Sequence, residues 1–284
     1  MTITAAKVME LRNATGVAMM DCKKALEETG GDMDSATEWL RKKGLSVAAK
    51  KSGRETKEGG IQVAFGPGGQ SAAIVHLACE TDFVSRNDQF QSLLTQMAKQ
   101  VLAKGDQNIS AQPLTEGTGT VADRITQAVA TMGENVQLVA GKRVEAAAGG
   151  VVGGYVHSNG RIGVLVTLSA EGKAPAAALE ALGRDLAMHI AASQVHALNE
   201  SELDPAVLDK EKEIFTAQAR ESGKPEDIIQ KMVQGRMNKF LKEVTLFSQP
   251  FVKNPDQTIS QLLAEQSKTL GAKLNVTGFI KLQF

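Results

Sequence analysis

Apolar positions along this chain change their spacing repeatedly, and each change marks a different part. Up to about residue 44 they recur at helical intervals in three bursts: Val8 and Leu11, then Met19, Cys22, Ala25 and Leu26, then Ala36, Trp39 and Leu40. Thr15-Gly16 and Thr29-Gly30-Gly31 separate the bursts, and Asp32 and Asp34 offer caps to the third, so three short helices are expected. Met19 and its neighbour Met20 stand about 100° apart on a helix. That leaves two readings open: packing across a broad buried arc, or a soft contact for a partner. The pattern fades from Gly44 to about Gly60 into Ala, Lys, Ser and Gly, as in a solvated linker or a frayed helix.

Strand spacing then takes over. Ile61 to Phe65 and Ala72 to Cys79 read as strands around the turn Gly66-Pro67-Gly68-Gly69, and helical spacing returns from about Asp88 to Ala103. A polar loop from Lys104 to Gly119 leads to a helix expected from about Val121 to Thr131. A similar order follows: strand Val151 to His157, turn Ser158 to Arg161, strand Gly163 to Leu168, and a helix carrying Leu182, Leu186 and Ile190. Two hairpin-plus-helix units in tandem predict a pseudo-repeated α+β core. Residues from about 204 to 244 break the rhythm with two helical stripes, one through Val207, Leu208, Ile214 and Phe215, the other through Ile228, Ile229, Met232, Val233, Met237, Phe240 and Leu241. Gly223 and Pro225 lie between them, which predicts a protruding antiparallel helical hairpin. A helix from Thr258 to Glu265 and a strand near Val276 to Leu282 complete the chain. The expected division is 1–55 for the helical part and its linker, 56–145 for one core subdomain, and 146–284 for a second that carries the hairpin.

Composition narrows the function. Lys plus Arg and Asp plus Glu are both 32 in 284 residues, so no basic excess points to direct nucleic-acid binding. No apolar run reaches membrane-spanning length, and the N-terminus lacks the features of a signal peptide. Cys22 and Cys79 are far apart within apolar patterns, as reduced structural thiols would be, and a cytoplasmic protein is expected. Catalytic signatures are missing as well. The run Gly149-Gly150-Val151-Val152-Gly153-Gly154 precedes a strand, whereas a phosphate cradle opens a helix. His189 and His196 are about 10 Å apart on one helix, too far to share a metal. His76 reads as a hydrogen-bonded core residue. Asp32 and Asp34 lack the glycine and closing glutamate of a calcium loop. The chain is expected to hold a partner, with no cofactor and no reaction of its own.

The most informative stretch is Cys79-Glu80-Thr81-Asp82-Phe83-Val84, where an apolar strand ends in polar residues and a ring. Candidate caps from Ser85 to Asp88 follow, so Asp82 and Phe83 occupy a strand-to-helix corner. There Phe83 either probes another protein or plugs the gap between its own strand and the next helix.

Together with Leu11-Arg12, Thr15-Gly16 and Met19-Met20-Asp21-Cys22-Lys23-Lys24-Ala25-Leu26, that stretch resembles the elongation factor Ts family. Gly133-Glu134-Asn135, Tyr155-Val156-His157, Ala187-Met188-His189-Ile190-Ala191-Ala192, Ser222-Gly223-Lys224-Pro225 and Gln249-Pro250-Phe251-Val252 follow in the family's order over nearly the whole chain. The resemblance implies a small ubiquitin-associated-like helical domain, a two-part α+β core and a protruding arm. It also implies a nucleotide-exchange factor for elongation factor Tu, the GTPase that carries aminoacyl-tRNA to the ribosome. On that reading Phe83 wedges into the partner's nucleotide domain, with Thr81, Asp82 and Val84 beside it. The partner's magnesium is dislodged and GDP leaves. Arg12, Met19, Met20 and Lys23 match positions that grip another face of that domain. Met132, Gly133, His157 and Val252 match further contacts. Met132 stands where isoleucine is usual, and Lys253 where methionine is frequent. Many members continue past the last strand into a further helix, so exchange here is expected to rest on the core and the N-terminal helices. Complexes of one-to-one and of two-to-two (a dimer of heterodimers) both remain open. The rival readings are a helical scaffold, which would leave GDP release unchanged, and a nucleotide-using enzyme, which would bind nucleotide itself.

Overall fold

Short polar side chains start the N-terminal helices. In the computed structural model, which describes residues 3–284, the Thr4 hydroxyl accepts from the Lys7 N–H to open α1 (Ala5–Thr15). Asp32 accepts from the Ser35 N–H at 2.7 Å to open α3 (Met33–Lys51), with α2 (Met19–Glu28) between them. The three helices enclose Val8, Leu11, Cys22, Ala25, Leu26, Ala36 and Leu40, with Trp39 partly buried at the edge. Met19 does not share the inner face expected of it: it is exposed, and Val17 packs against the cluster. Helix α3 also runs further than its fading apolar pattern indicated. Gly44 lets it approach α6 (Val121–Met132), where a Cβ would lie 3.4 Å from Ala130 Cβ, and this packing keeps the segment helical to Lys51. Only residues 52–57 form an irregular link.

The core consists of two antiparallel three-stranded sheets. In the first, β1 (Glu58–Phe65), β2 (Ser71–Cys79) and β3 (Val136–Glu145) lie in that order; in the second, β4 (Val151–Val156), β5 (Ile162–Glu171) and β8 (Lys273–Gln283) do the same. Each sheet is a hairpin whose second strand pairs with a strand arriving much later in the chain. The returning helix α6 precedes β3, and α10 (Ile259–Leu270) precedes β8. The pseudo-repeat is therefore a property of the topology. Strand β3 escaped the pattern analysis because it is an edge strand with an irregular alternation, exposed Val139, and a bulge opposite His76 and Leu77.

Alternation along β2 separates two cores. Ala73, Val75, Leu77 and Cys79 face α5 (Asp88–Lys104) and its Phe90, Leu93, Leu94 and Met97. Ala72 and Ile74 face the other sheet through Ile61, Val152 and Leu165. On the far side, Val164, Val166 and Leu168 of β5 meet α7 (Ala176–Ala192) and α10. The layers are thus helices, sheet, sheet, helices. His76 belongs to the inter-sheet layer, its ring stacked on Phe284 at 4.6 Å. It differs from the expected hydrogen-bonded core histidine: Nε2 has no hydrogen-bond partner among the described residues, and burial lowers its pKa.

The glycine run before β4 has a packing role. A Cβ on Gly153 would lie 2.2 Å from the carbonyl carbon of Gly183, so this pair sets how closely α7 lies on β4. Beyond α7 the chain leaves the core as α8 (Pro205–Arg220) and α9 (Glu226–Val244), joined at Gly223 with φ 65°. The pair has its own small cluster of Ala219, Ile229 and Val233, bordered by Phe215, Met232 and Met237. After the arm come the short strands β6 (Pro250–Phe251) and β7 (Asn254–Thr258). Among the described residues no helix is long and apolar enough to cross a membrane.

The return from the arm is fixed by a buried polar network. Gln249 donates from its amide to the carbonyls of Gln194 and Glu243, so its Oε1 is left to accept from His189 Nε2 at 2.8 Å. His189 Nδ1 must then be unprotonated, and it accepts the Val252 N–H at 3.2 Å. Burial lowers the pKa of His189, consistent with this neutral tautomer.

Two predictions follow from these contacts. Gly153→Ala should destabilise the protein by about 1–3 kcal/mol through overpacking. Gly235→Ala, where a Cβ meets nothing within 4 Å on a helix of the arm, should be neutral or stabilising by about 0.5–1 kcal/mol. Urea denaturation of both variants gives the comparison. The second concerns pH. His76 and His189 have folded pKa values below the ordinary 6.5, so below that pH the unfolded chain binds more protons than the folded one. Their contribution is present above pH 6.5 and is lost as pH falls toward the folded values. Replacing either by Gln should flatten the decline of urea stability between about pH 7 and pH 5.

Candidate partner-contact site

Strand β2 ends at Cys79, and the chain turns through Glu80 and Thr81 into a single helical turn, α4 (Asp82–Ser85). The Thr81 hydroxyl accepts from the Val84 N–H at 3.4 Å to cap that turn, and the Ser85 hydroxyl donates to the Asp82 carbonyl at 3.0 Å. Ser85 points inward and Val84 packs against the first sheet's helix-side core. That orientation turns Phe83 outward, where it is 83% exposed. The core-plug reading of Phe83 is thereby excluded. A phenylalanine left in water forgoes about 1.5–3 kcal/mol of burial, and nothing in the fold of this chain compensates for it. Asp82 sits beside the ring with a carboxylate oxygen 3.2 Å from Arg86, a pair open to solvent on both sides and worth at most about 1 kcal/mol.

The corner is tied down from the loop after α6. Gly133, at φ 77°, ends that helix in the left-handed conformation. Glu134 then accepts from the Thr81 N–H at 3.0 Å and from the Thr81 hydroxyl at 2.7 Å. Glu80 accepts from the Asn135 N–H at 2.6 Å, and the Asn135 amide donates to the Arg54 carbonyl at 2.8 Å. Lys51 donates to the Gly133 carbonyl, so the end of α3 joins the same assembly. Cys79 closes it from below. Burial, and then the negative charge of Glu134, push its thiol up to about 12, which keeps the S–H as a donor to the Thr81 carbonyl at 3.2 Å. A thiol held so firmly protonated is inert as a nucleophile. Glu80, Glu134 and Asn135 were not among the sequence-derived contact residues. Their signal was the motif Gly133-Glu134-Asn135 together with Glu80 in the stretch before Phe83, whose polar groups bond to one another and to Thr81 and Arg54.

The other candidate residues fall into three places. Arg12, Met19, Met20 and Lys23 line the outer side of α1 and α2, with Met20 71% and Met19 37% exposed and Lys23 3.8 Å from Glu27. Both methionines therefore lie outside the cluster that holds the three helices together. Met132 is partly buried at the end of α6 and lines a groove with Thr15, Gly16, Asp88 and Gln89, so the helical module and the corner region are neighbours. The Gln127 amide donates to the Thr15 carbonyl at 3.0 Å across this junction. His157 lies apart, exposed at the β4–β5 turn, with Nδ1 3.1 Å from the Tyr155 hydroxyl. That turn is held to the first sheet by the Ile61 N–H, which donates to Gly160. Val252 is 46% exposed between β6 and β7, anchored through its N–H to His189. The structure thus joins the corner to Met132 and Gly133, and it places His157 and Val252 on the second sheet's side.

Comparison with known proteins shows the family. The family described as Elongation factor TS matches residues 80–284, beginning at the corner itself. The elongation factor Ts of Agrobacterium fabrum is 49% identical over 287 residues, covering 99% of this chain and 92% of that protein. Those of Caulobacter vibrioides and Nitratidesulfovibrio vulgaris are 48% and 43% identical, covering 99% and 100% of this chain and 91% and 96% of their own lengths. With an outward ring on a braced corner and likeness along its full length, the chain belongs to the elongation factor Ts family.

Proposed function

We propose that this protein is a guanine-nucleotide exchange factor that binds the GDP form of elongation factor Tu, displaces its magnesium ion and promotes GDP release during translation elongation. The observation that carries the proposal is Phe83, 83% exposed on a one-turn helix whose cap residue, Thr81, is held by the Glu134 carboxylate. An exposed ring on a mobile loop would spend binding energy on its own ordering. A braced ring can spend it on the partner. Asp82 adds a carboxylate beside the wedge, at a place where a magnesium ligand of the partner could be displaced or repelled, with Thr81 and Val84 shaping the turn.

Holding and displacing are separate tasks. Arg12, Met19, Met20 and Lys23 on the helical module, Met132 and Gly133 near the corner, and His157 and Val252 on the second sheet supply the grip. The methionines suit it because their flexible thioethers adapt to an apolar surface. The chain makes and breaks no bonds and uses no cofactor; its work is a shift of its partner's conformational equilibrium, carried out in the cytoplasm. Nucleic acid and membrane play no direct part.

The wedge is tested by Phe83→Ala. Because the side chain touches no core, the melting temperature should hardly move, with stability changed by less than about 0.5 kcal/mol. Stimulated release of labelled GDP from elongation factor Tu should fall about tenfold or more, the scale expected of a central aromatic anchor. A variant that melts much earlier but exchanges normally once folded would defeat the reading.

The mechanism as a whole is tested by linkage. Whatever factor this protein applies to the affinity of elongation factor Tu for GDP, GDP must apply to the affinity for this protein. Titrating the complex with GDP should therefore dissociate it, more readily at high magnesium than after chelation. A plain scaffold has no preference between the partner's states, so neither ligand would shift its binding. Equal affinity for the partner with saturating magnesium-GDP and without nucleotide would rule out the exchange mechanism.

A further inference from the structure

Past Cys79 the backbone ladder between β2 and β3 stops, but its register does not. Cys79 faces Val136 as the last backbone pair. In the same register the next pair is Glu80 with Asn135, and there the Glu80 carboxylate accepts the Asn135 N–H at 2.6 Å. The pair after that is Thr81 with Glu134, and there the Glu134 carboxylate accepts both the Thr81 N–H and its hydroxyl. Two glutamate side chains stand in for strand carbonyls and carry the ladder two residues beyond its end. Hydrogen bonds to an ionised acceptor are about twice as strong as neutral ones, so this extension is stiffer than the frayed strand end it replaces. Thr81 is also the cap of α4. A single helical turn cannot sustain itself, because nucleation costs more than one turn returns. Its direction must be imposed from outside, and Glu134 grips the residue from which it starts.

We infer that Glu134 is a positioning residue for exchange: by holding Thr81 in register it presets the direction of α4, so that Phe83 meets the partner already aimed. Glu80 and Asn135 stiffen the same extension one pair earlier. The inference rests on the exchange-factor reading above and adds to it a residue that never touches the partner's nucleotide.

The test uses the full chain with Glu134→Ala and Glu134→Gln. Gln keeps an acceptor for the Thr81 N–H and can turn its amide N–H toward the Thr81 hydroxyl oxygen, so it should preserve the geometry. In Glu134→Ala the backbone amides of Thr81, Val84 and Ser85 should exchange with deuterium about tenfold faster or more, while those of β4, β5 and β8 keep their rates. The maximal stimulated rate of GDP release should fall by about tenfold or more. The concentration giving half-maximal stimulation should change by less than about threefold, because the proposed grip is spread over the N-terminal helices and the second sheet as well as the residues beside the corner. Glu134→Gln, which keeps the geometry with neutral bonds, should recover most of both readouts and fall between Glu134→Ala and the unaltered protein. If Glu134→Ala does not fold, Glu134→Asp, whose carboxylate is one methylene too short to hold both the Thr81 N–H and its hydroxyl, leaves the Thr81 cap of α4 in place and should give intermediate effects of the same sign. Unchanged amide exchange at residues 81–85 in the folded variant overturns the inference whatever the GDP assay shows. A loosened corner with an undiminished maximal rate overturns it too. If the unaltered protein fails to stimulate GDP release, the exchange reading falls and this inference with it; the amide measurement, made without a partner, still shows whether the brace exists.

Discussion

Strand β2 is buried on both faces from Ala72 to Cys79, and the rest of the molecule is arranged around that constraint. Its odd-numbered side chains close the helix-side core and its even-numbered ones meet the second sheet. A one-residue slip would exchange the two sets, setting His76 against the helices and Leu77 between the sheets, so the register is firmly specified. The sheets also approach closely. A Cβ on Gly163 would lie 2.4 Å from Ile61 Cγ2, so the second sheet's central strand sits directly on the first. A strand this constrained has a fixed end, and the corner that carries Phe83 is built on it. The position of one exposed ring therefore follows from the packing of two cores.

The same logic sorts the exposed apolar residues. Single exposed hydrophobic side chains are ordinary on soluble proteins and by themselves signify little. Phe83 differs because its surroundings are rigid: a capped turn, two charge-assisted bonds and a buried strand lie directly beneath it. Val252 is similarly fixed, since its N–H closes the His189 and Gln249 network. Met19 and Met20 are rigid in backbone only. That division suits a factor that must adapt where it grips and resist where it pushes. Under the exchange mechanism proposed above, a compliant wedge would yield before the partner did.

Much of this was legible in the sequence, and what was not has physical causes. Periodicity located the helices because each buries one face, and the two hairpins because their strands are short apolar runs bounded by turn residues. It missed β3, an edge strand with weak alternation, and it ended α3 early, because Gly44 and Ala48 lack bulk although Gly44 packs on α6 and Ala48 on the helix-side core. It placed Met19 inward from spacing alone, when Val17 in the preceding turn already fills that place. The corner was found from a change of residue type, and its exposure could not be: whether a ring plugs or projects depends on the direction of a four-residue helix whose cap, Thr81, is held by Glu134, 53 positions further along the chain. The glycine run could be dismissed as a phosphate cradle, but its packing partner, Gly183, becomes a neighbour only in the folded chain.

The arm shows the opposite design to the corner. Its tip cluster is separate from the main cores, and its base meets the body through a small patch of Ala197, Leu203 and Val244. Backbone contact at the base is confined to a few bonds, such as those of the His196 and Leu246 N–H groups. Helices of 16 and 19 residues are long enough to persist with modest packing. A contact made at the arm's tip would reach the corner only through this base, α7 and both sheets. Coupling is carried by packed elements with few alternative arrangements; Gln249 pins the end of α9 to His189 at the base, while the cluster toward the tip is separate from the main cores. The braced corner is joined directly to the end of α3 and, through the groove beside Met132, to the N-terminal helices. If this chain acts as the proposed exchange factor, displacement is therefore best driven from that side of the molecule, where the N-terminal helices and the corner share one support.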